Sequence, residues 1–199
     1  MKSIKSLDTK KLVLLALLTA IVIVLQVFSS IVPVFPFRLN LVLVPIVIGA
    51  ALITPLAGAW LGFIFGLTVL ISSPDVIPFM IFNPPATIIV ILLRGIFAGF
   101  AAGFVYNALT IRINKTIAVL AAAVVCAVTN TALFVIGIYI FFLPILEEWG
   151  VTGASNVASF IFLSMIGFNF FFELLINLIF SPSIVRLIQY KQKYKDNIE

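Results

Sequence analysis

The sequence predicts an all-α membrane protein, a bundle of six transmembrane helices with both termini in the cytoplasm. Hydrophobic residues make up 63% of the 199 residues and charged residues only 10%, which is more apolar than a water-soluble core of this size requires. The apolar residues form runs comparable to the roughly 20 residues that a helix needs to cross a bilayer. Basic residues gather at a few junctions between these runs.

The apolar runs give six predicted helices, separated by proline, polar or charged residues. They cover residues 10–32, 39–53, 55–71, 85–109, 116–143 and 159–187. The second and third runs are short and meet at Thr54 and Pro55. Because proline lacks a backbone donor and restricts the residue before it, we expect a tight hairpin or a broken pair there. The chain is predicted to form one transmembrane domain, with cytoplasmic tails at 1–9 and 188–199.

The positions of the charged residues orient the bundle. Basic residues flank both ends of the chain and also lie between the fourth and fifth helices, at Arg112 and Lys115. Six crossings place these three sites on one side of the membrane, which the positive-inside rule makes cytoplasmic. The opposite loops carry acidic residues and one base, Arg38. We attribute the net charge of +5 to this asymmetry rather than to nucleic-acid binding, since no basic run alternates with aromatic residues.

Residue types that many catalytic sites need are missing from the sequence. It has no histidine, a single cysteine (Cys126) and no GxxxxGK[ST] loop. The chain therefore has no P-loop for ATP hydrolysis and no histidine to ligate a metal or activate a thiol. We expect no enzymatic activity, no metal and no cofactor.

The few polar side chains within the predicted spans are the candidate substrate-binding residues. A charge near the bilayer centre costs several kcal/mol unless it faces a cavity or a partner, which selects Arg94 and Glu173. Asn169, Glu173 and Asn177 recur every four residues, so they share one helical face that we expect to point inward. Asn130 adds a polar group in the fifth helix. The alternative is that Arg94 and Glu173 only pair with each other, and that the asparagines join helices.

Small residues form two further patterns. Glycines recur at four-residue intervals in the third and fourth helices, at Gly58, Gly62, Gly66, Gly95, Gly99 and Gly103. Such stripes permit close backbone approach. Ala16 and Ala20 form a similar pair in the first helix, where internal packing and docking of a partner helix are both open from the residues alone.

The two longer outer loops, 33–40 and 72–85, are rich in proline and aromatic residues. This composition indicates stiff, apolar covers that lie at the membrane interface or close over a pocket as lids. Asn40 and Asn83, each at a loop end, are further candidates for ligand contact, with helix capping as the alternative. Arg38 is a candidate anion-binding residue near the entrance.

Several of these segments resemble the substrate-binding S components of energy-coupling factor (ECF) vitamin transporters, which are ABC importers. The resemblance rests on the basic amino terminus, Ala16 and Ala20, Arg-Leu-Asn (38–40), Val-Pro-Ile-Val-Ile-Gly-Ala (44–50) and Thr-Pro-Leu-Ala-Gly-Ala-Trp-Leu-Gly (54–62). It covers nearly the whole chain in length, helix count and topology. It implies a six-helix bundle in a prokaryotic plasma membrane that binds one vitamin near its external face.

The resemblance also implies partners. In this family uptake requires a transmembrane coupling protein and two ATPases, and the small-residue face of the first helix docks on the coupling protein. Ala16 and Ala20 are therefore the predicted docking residues.

Two segments, Leu-Asn-Leu-Val-Leu-Val-Pro (39–45) and the loop with Asn83 and Pro84, most resemble pantothenate-specific members, which are close to members for hydroxymethylpyrimidine. For pantothenate, we expect Arg94 to pair with the carboxylate while Asn83, Asn130 and Asn169 contact the polar remainder. Glu173 fits an anion less well than it fits a neutral pyrimidine.

Two other function classes fit parts of the sequence. A self-sufficient secondary transporter would couple to protons through Glu173, but such proteins usually have duplicated halves, and residues 1–100 and 101–199 show no convincing repeat. A membrane assembly factor or receptor would use the same polar residues only for packing.

Overall fold

The structure is a computed structural model that describes residues 9–31, 41–148, 170–171, 173–183 and 185. These residues form helices and turns, with no β-strand among them. The helices are α1 (Thr9–Ile31), α2 (Leu43–Leu52), α3 (Pro55–Ser72), α4 (Ile77–Phe82), α5 (Pro84–Thr110), α6 (Lys115–Phe141) and α7 (Leu143–Glu148). We name the described helical residues between 170 and 185 helix α8.

Four helices, α1, α3, α5 and α6, are long and apolar enough to cross a membrane. Helix α2 is also apolar but has only 10 residues. At about 1.5 Å per residue it is about 15 Å long, half of a hydrocarbon core of about 30 Å. The helices and their apolar spans confirm the prediction of an all-helical membrane fold.

Helix α2 lies at the centre of the described bundle. It packs against α1, α3, α5 and α6, and its residues from Leu43 to Ala50 are all buried. A helix that is apolar on every side is stable when other helices surround it. The bundle is therefore built around α2, with the longer helices outside it.

The predicted break between the second and third apolar runs is confirmed. Thr54 has an extended backbone, with φ −165° and ψ 162°, and its hydroxyl accepts a hydrogen bond from the Ala57 N–H at 3.1 Å. Pro55 opens α3, where its missing N–H costs no intrahelical hydrogen bond. The capped turn lets α3 fold back against α2.

Three predicted boundaries were wrong. Helix α2 begins at Leu43 rather than at residue 39, because residues 41–42 form a turn. The predicted loop 72–85 contains a 3-10 turn (Pro74–Val76) and α4, each with proline in its first turn. Proline is tolerated there, so it began these helices rather than preventing them. The predicted fifth helix ends at Phe141, and α7 follows it.

Helices α3 and α5 form the closest backbone contact of the bundle, along the predicted glycine stripes. Gly62 faces Gly95, and Gly58 faces Gly99, so the two helices run antiparallel. A Cβ atom added at Gly62 would collide with the carbonyl oxygen of Gly95. Only glycine allows this approach.

A second apolar cluster lies at the N-terminal end of α5 and the C-terminal end of α6. Its buried members come from α4 to α7: Phe79, Ala86, Val90, Ile138, Phe142, Ile145 and Leu146. The rings of Phe79 and Phe142 meet edge to face, with 5.0 Å between centroids. The Thr87 hydroxyl donates a hydrogen bond to the Phe79 carbonyl at 2.8 Å. The segment 72–85, which the sequence predicted to be a cover, thus packs through α4 onto the ends of α5 and α6.

A buried polar relay joins α8 to α6. The Asn177 side chain donates from Nδ2 to the Ala123 carbonyl at 3.1 Å, and its Oδ1 accepts from the Ser181 hydroxyl at 2.6 Å. Asn177 and Ser181 are both fully buried. Because both ends of the amide have partners, this relay is a structural link between the two helices.

The close contact of α3 and α5 predicts that Gly62→Ala destabilises the protein by about 1–3 kcal/mol, since the new methyl group must push two backbones apart. The measurement is thermal unfolding of the purified chain in detergent. Ala108→Val is the control, because it adds more volume at an exposed position of α5. Equal unfolding midpoints for the two variants would contradict the packing role of Gly62.

The polar relay predicts that Ser181→Ala lowers stability by about 1 kcal/mol, because the buried Oδ1 of Asn177 loses its donor. Ser183→Ala is a matched control, since the Ser183 hydroxyl is exposed and donates only to the Ile179 carbonyl of its own helix. Thermal unfolding of both variants checks the difference. A loss in Ser183→Ala as large as that in Ser181→Ala would show that the relay is not important.

Candidate functional site

The candidate site is built around Arg94, on α5 directly before Gly95. Its guanidinium carbon lies 4.9 Å from the ring centroid of Phe134 on α6 and 5.7 Å from that of Phe65 on α3. Aromatic rings at these distances attract a cation through their π electrons. The two rings therefore hold the guanidinium between three helices without neutralising its charge.

Three buried polar atoms have no hydrogen-bond partner, and no other side chain in the described ranges contributes one. They are Nε of Arg94, Oδ1 of Asn130 and Oε1 of Glu173. Asn130 is 5% exposed and Glu173 is 6% exposed. Buried polar groups are nearly always paired, and each unpaired one costs about 1–3 kcal/mol. Groups of this kind are expected where a ligand completes the hydrogen bonds.

The three groups lie on α5, α6 and α8, and sequence spacing and electrostatic interactions relate them to one another. Asn130 lies one helical turn before Phe134, the ring nearest the Arg94 guanidinium. The carboxyl group of Glu173 interacts electrostatically with Arg94 and with Cys126, which is one turn before Asn130. A guanidinium, an amide and a carboxyl group on three helices thus form the candidate site.

Arg94 and Glu173 do not form a direct ion pair. Within the part of the chain that the structure describes, no nitrogen of Arg94 lies within 4.0 Å of an oxygen of Glu173. Their opposite charges still stabilise each other at longer range. Simple pairing, the structural alternative raised by the sequence, leaves the unpartnered Nε and Oε1 atoms unexplained.

The remaining candidates divide into two groups. Asn83 caps α5, because its Oδ1 accepts from the Ala86 N–H at 3.2 Å. It precedes Arg94 by 11 residues, or about 16 Å along the helix axis. Arg38, Asn40 and Asn169 lie outside the described residues.

Ala16 and Ala20 are both exposed on α1. Beside them, Trp60 of α3 is 47% exposed and donates its indole N–H to the Thr19 hydroxyl at 3.3 Å. The small-residue pair is therefore not used to pack α1 against the other helices, and it remains open to a partner.

Sequence reasoning missed Phe65 and Phe134. The chain has 20 phenylalanines, so no single one gives a signal. The spacing of Phe134, one turn from Asn130, was the only available indication that it lies near the site.

A second polar cluster, also missed, joins the ends of α1 and α3. Gln26 donates from Nε2 to the Ser73 hydroxyl at 3.0 Å, and the Ser30 hydroxyl lies 3.1 Å from that of Ser72. Because these groups satisfy one another, the cluster serves packing.

Comparison with known proteins supports one family. No curated protein and no solved structure matches the chain significantly. The family model described as "ECF transporter, substrate-specific component" matches residues 10–185, a range that includes Ala16, Arg94, Asn130 and Glu173. The match covers most of the chain, and the family is one of transport subunits. The chain therefore belongs to the substrate-specific components of ECF transporters.

Proposed function

We propose that this chain captures a small polar vitamin, pantothenate, from outside the cell and delivers it through an ECF coupling protein and two ATPases. The observation that carries the proposal is the Arg94 guanidinium, which lies between two rings and whose buried Nε–H lacks a hydrogen-bond partner. A guanidinium binds a carboxylate through charge-assisted hydrogen bonds. Asn130 then supplies an amide oxygen for a hydroxyl or amide N–H of the same ligand.

The proposed topology has six crossings with both termini in the cytoplasm. Helices α1, α3, α5 and α6 supply four crossings, and α2 and α8 lie in the two remaining apolar runs. In this topology the α4 segment lies outside, above the end of α5, and Ala16 and Ala20 lie in the cytoplasmic half of α1. Arg38, Asn40, Asn83 and Asn169 remain proposed ligand contacts because of their positions in the sequence, at loop ends and on a polar helical face.

Hydroxymethylpyrimidine is the second candidate substrate. Glu173 favours it, because a carboxylate beside Arg94 makes the site neutral overall and would repel the carboxylate of pantothenate. The choice between the two vitamins depends on whether the Glu173 carboxylate repels the ligand or forms a hydrogen bond with it.

We expect Arg94→Gln to weaken pantothenate binding about 10- to 100-fold, since a hydrogen bond to a charged group contributes about 1.5–3 kcal/mol. The measurement is isothermal calorimetry of the purified chain in detergent with pantothenate and hydroxymethylpyrimidine. Arg112→Gln is the control, because it removes the same charge at an exposed position after α5. Normal binding by Arg94→Gln would show that Arg94 only joins helices. No vitamin binding by folded wild-type protein would contradict capture itself.

Ala16→Trp and Ala20→Trp are expected to abolish uptake in cells or vesicles that contain the energising subunits, while calorimetric binding stays unchanged. A large side chain on this exposed face would keep a partner helix from close approach. Ala132→Trp makes the same substitution at an exposed position of α6 and should preserve uptake. Unimpaired uptake by both α1 variants would exclude docking through this face. Uptake by the chain alone would instead favour a secondary transporter.

A further inference from the structure

We propose that Glu173 binds the substrate directly, as the acceptor for a substrate O–H or N–H group, and that the site thereby selects ligands with a donor group opposite the group that binds Arg94. This inference rests on the proposed function and adds the chemistry that the ligand must have.

Two residues on the same face of α8 differ in their hydrogen bonding. Asn177 lies one turn after Glu173, and its amide has a partner at both ends, Ala123 and Ser181. The packing of α6 against α8 therefore supplies a hydrogen-bond partner to the Asn177 side chain, which joins the two helices. Glu173 is also buried, yet its Oε1 has no partner among the described residues.

Arg94 is held in position without a contact to Glu173. The rings of Phe134 and Phe65 already hold the guanidinium, so Arg94 does not need Glu173 as a contact partner. The two side chains interact through their charges but are not within ion-pair distance, as described above. A ligand that bridges them can contact both at once.

The unpaired atoms differ in whether they donate or accept hydrogen bonds. A carboxylate only accepts hydrogen bonds, and the oxygen of the Asn130 amide also only accepts, whereas Arg94 Nε only donates. The site thus offers one donor and two acceptors. A matching ligand has an acceptor at one end and at least two O–H or N–H groups at the other. Simple ionised mono- and dicarboxylic acids lack those donors and would leave both acceptors unpaired.

The negative charge of Glu173 then has the same role for the two candidate vitamins. The carboxylate of pantothenate can bind Arg94 while its hydroxyls donate to Glu173 and Asn130, so repulsion is avoided by the orientation of the ligand. The hydroxyl and amino groups of hydroxymethylpyrimidine can donate in the same way. In both cases Glu173 contributes to affinity.

The test is calorimetric binding of pantothenate and hydroxymethylpyrimidine to the full chain in detergent, comparing wild type with Glu173→Gln. The amide keeps the size of the side chain but removes its charge. We expect affinity for the bound vitamin to fall about tenfold, because the neutral amide oxygen is a weaker hydrogen-bond acceptor than the charged carboxylate. Ser181→Ala is the control, since it weakens α8 packing and should leave affinity unchanged.

A ligand-side measurement makes the test independent of variant folding. An analogue of the bound vitamin with its hydroxyl groups replaced by hydrogen should bind wild type more weakly than the parent compound does. The same replacement should cost much less in Glu173→Gln, because the two changes remove one interaction.

Each outcome is decisive. Binding to wild type that is unchanged or tighter in Glu173→Gln would overturn the inference and leave the capture function intact. Equal losses for the analogue in both proteins would also overturn it. Failure of both vitamins to bind folded wild type would overturn the proposed function and the inference with it.

Discussion

The close approach of α3 and α5 is the constraint on which the rest of the structure depends. Because neither Gly62 nor Gly95 has a side chain, the two backbones meet without an intervening layer. Residues next to this contact are therefore fixed in position, among them Arg94 on one helix and Phe65 on the other. A Cβ at Gly95 would lie 3.4 Å from the Phe65 ring, which shows how near the aromatic wall of the site is to the glycine contact. The packing of the bundle thus positions the charged group of the site.

The sequence predicted those features of the molecule whose replacement would cost free energy within a membrane. Apolar runs, proline breaks and glycine stripes specified α1, α3, α5 and α6 and the α3–α5 contact. Charges within spans selected Arg94 and Glu173 because an unsupported charge is expensive there. Phe65 and Phe134 could not be predicted, since phenylalanine is common in every span and its contacts depend on tertiary packing. Helix α4 was missed because proline was interpreted as a helix breaker, although it is well accommodated in a first turn.

Spacing alone could not separate structural from functional polar residues. Glu173 and Asn177 belong to the same predicted stripe, yet the amide is fully paired and the carboxyl oxygen is not. Asn83 was a candidate both for ligand contact and for helix capping, and the structure shows its side chain capping α5. The difference lies in whether a neighbouring helix supplies a partner, which depends on the register between helices. That register is set by packing across the whole bundle and is not encoded in any one segment.

The unpaired groups are also what the proposed capture of a small ligand would require of the bundle. Each unpaired buried atom lowers the stability of the empty protein by about 1–3 kcal/mol, and the remaining packing must offset this. In return, no internal hydrogen bond has to break when a ligand arrives, and the ring-held guanidinium loses little side-chain freedom. The favourable contacts with a complementary ligand then contribute to affinity almost in full, because little of their free energy is used to rearrange the protein. Such a binding site suits the proposed importer, in which this subunit recognises the ligand and the ATPases supply the energy for transport.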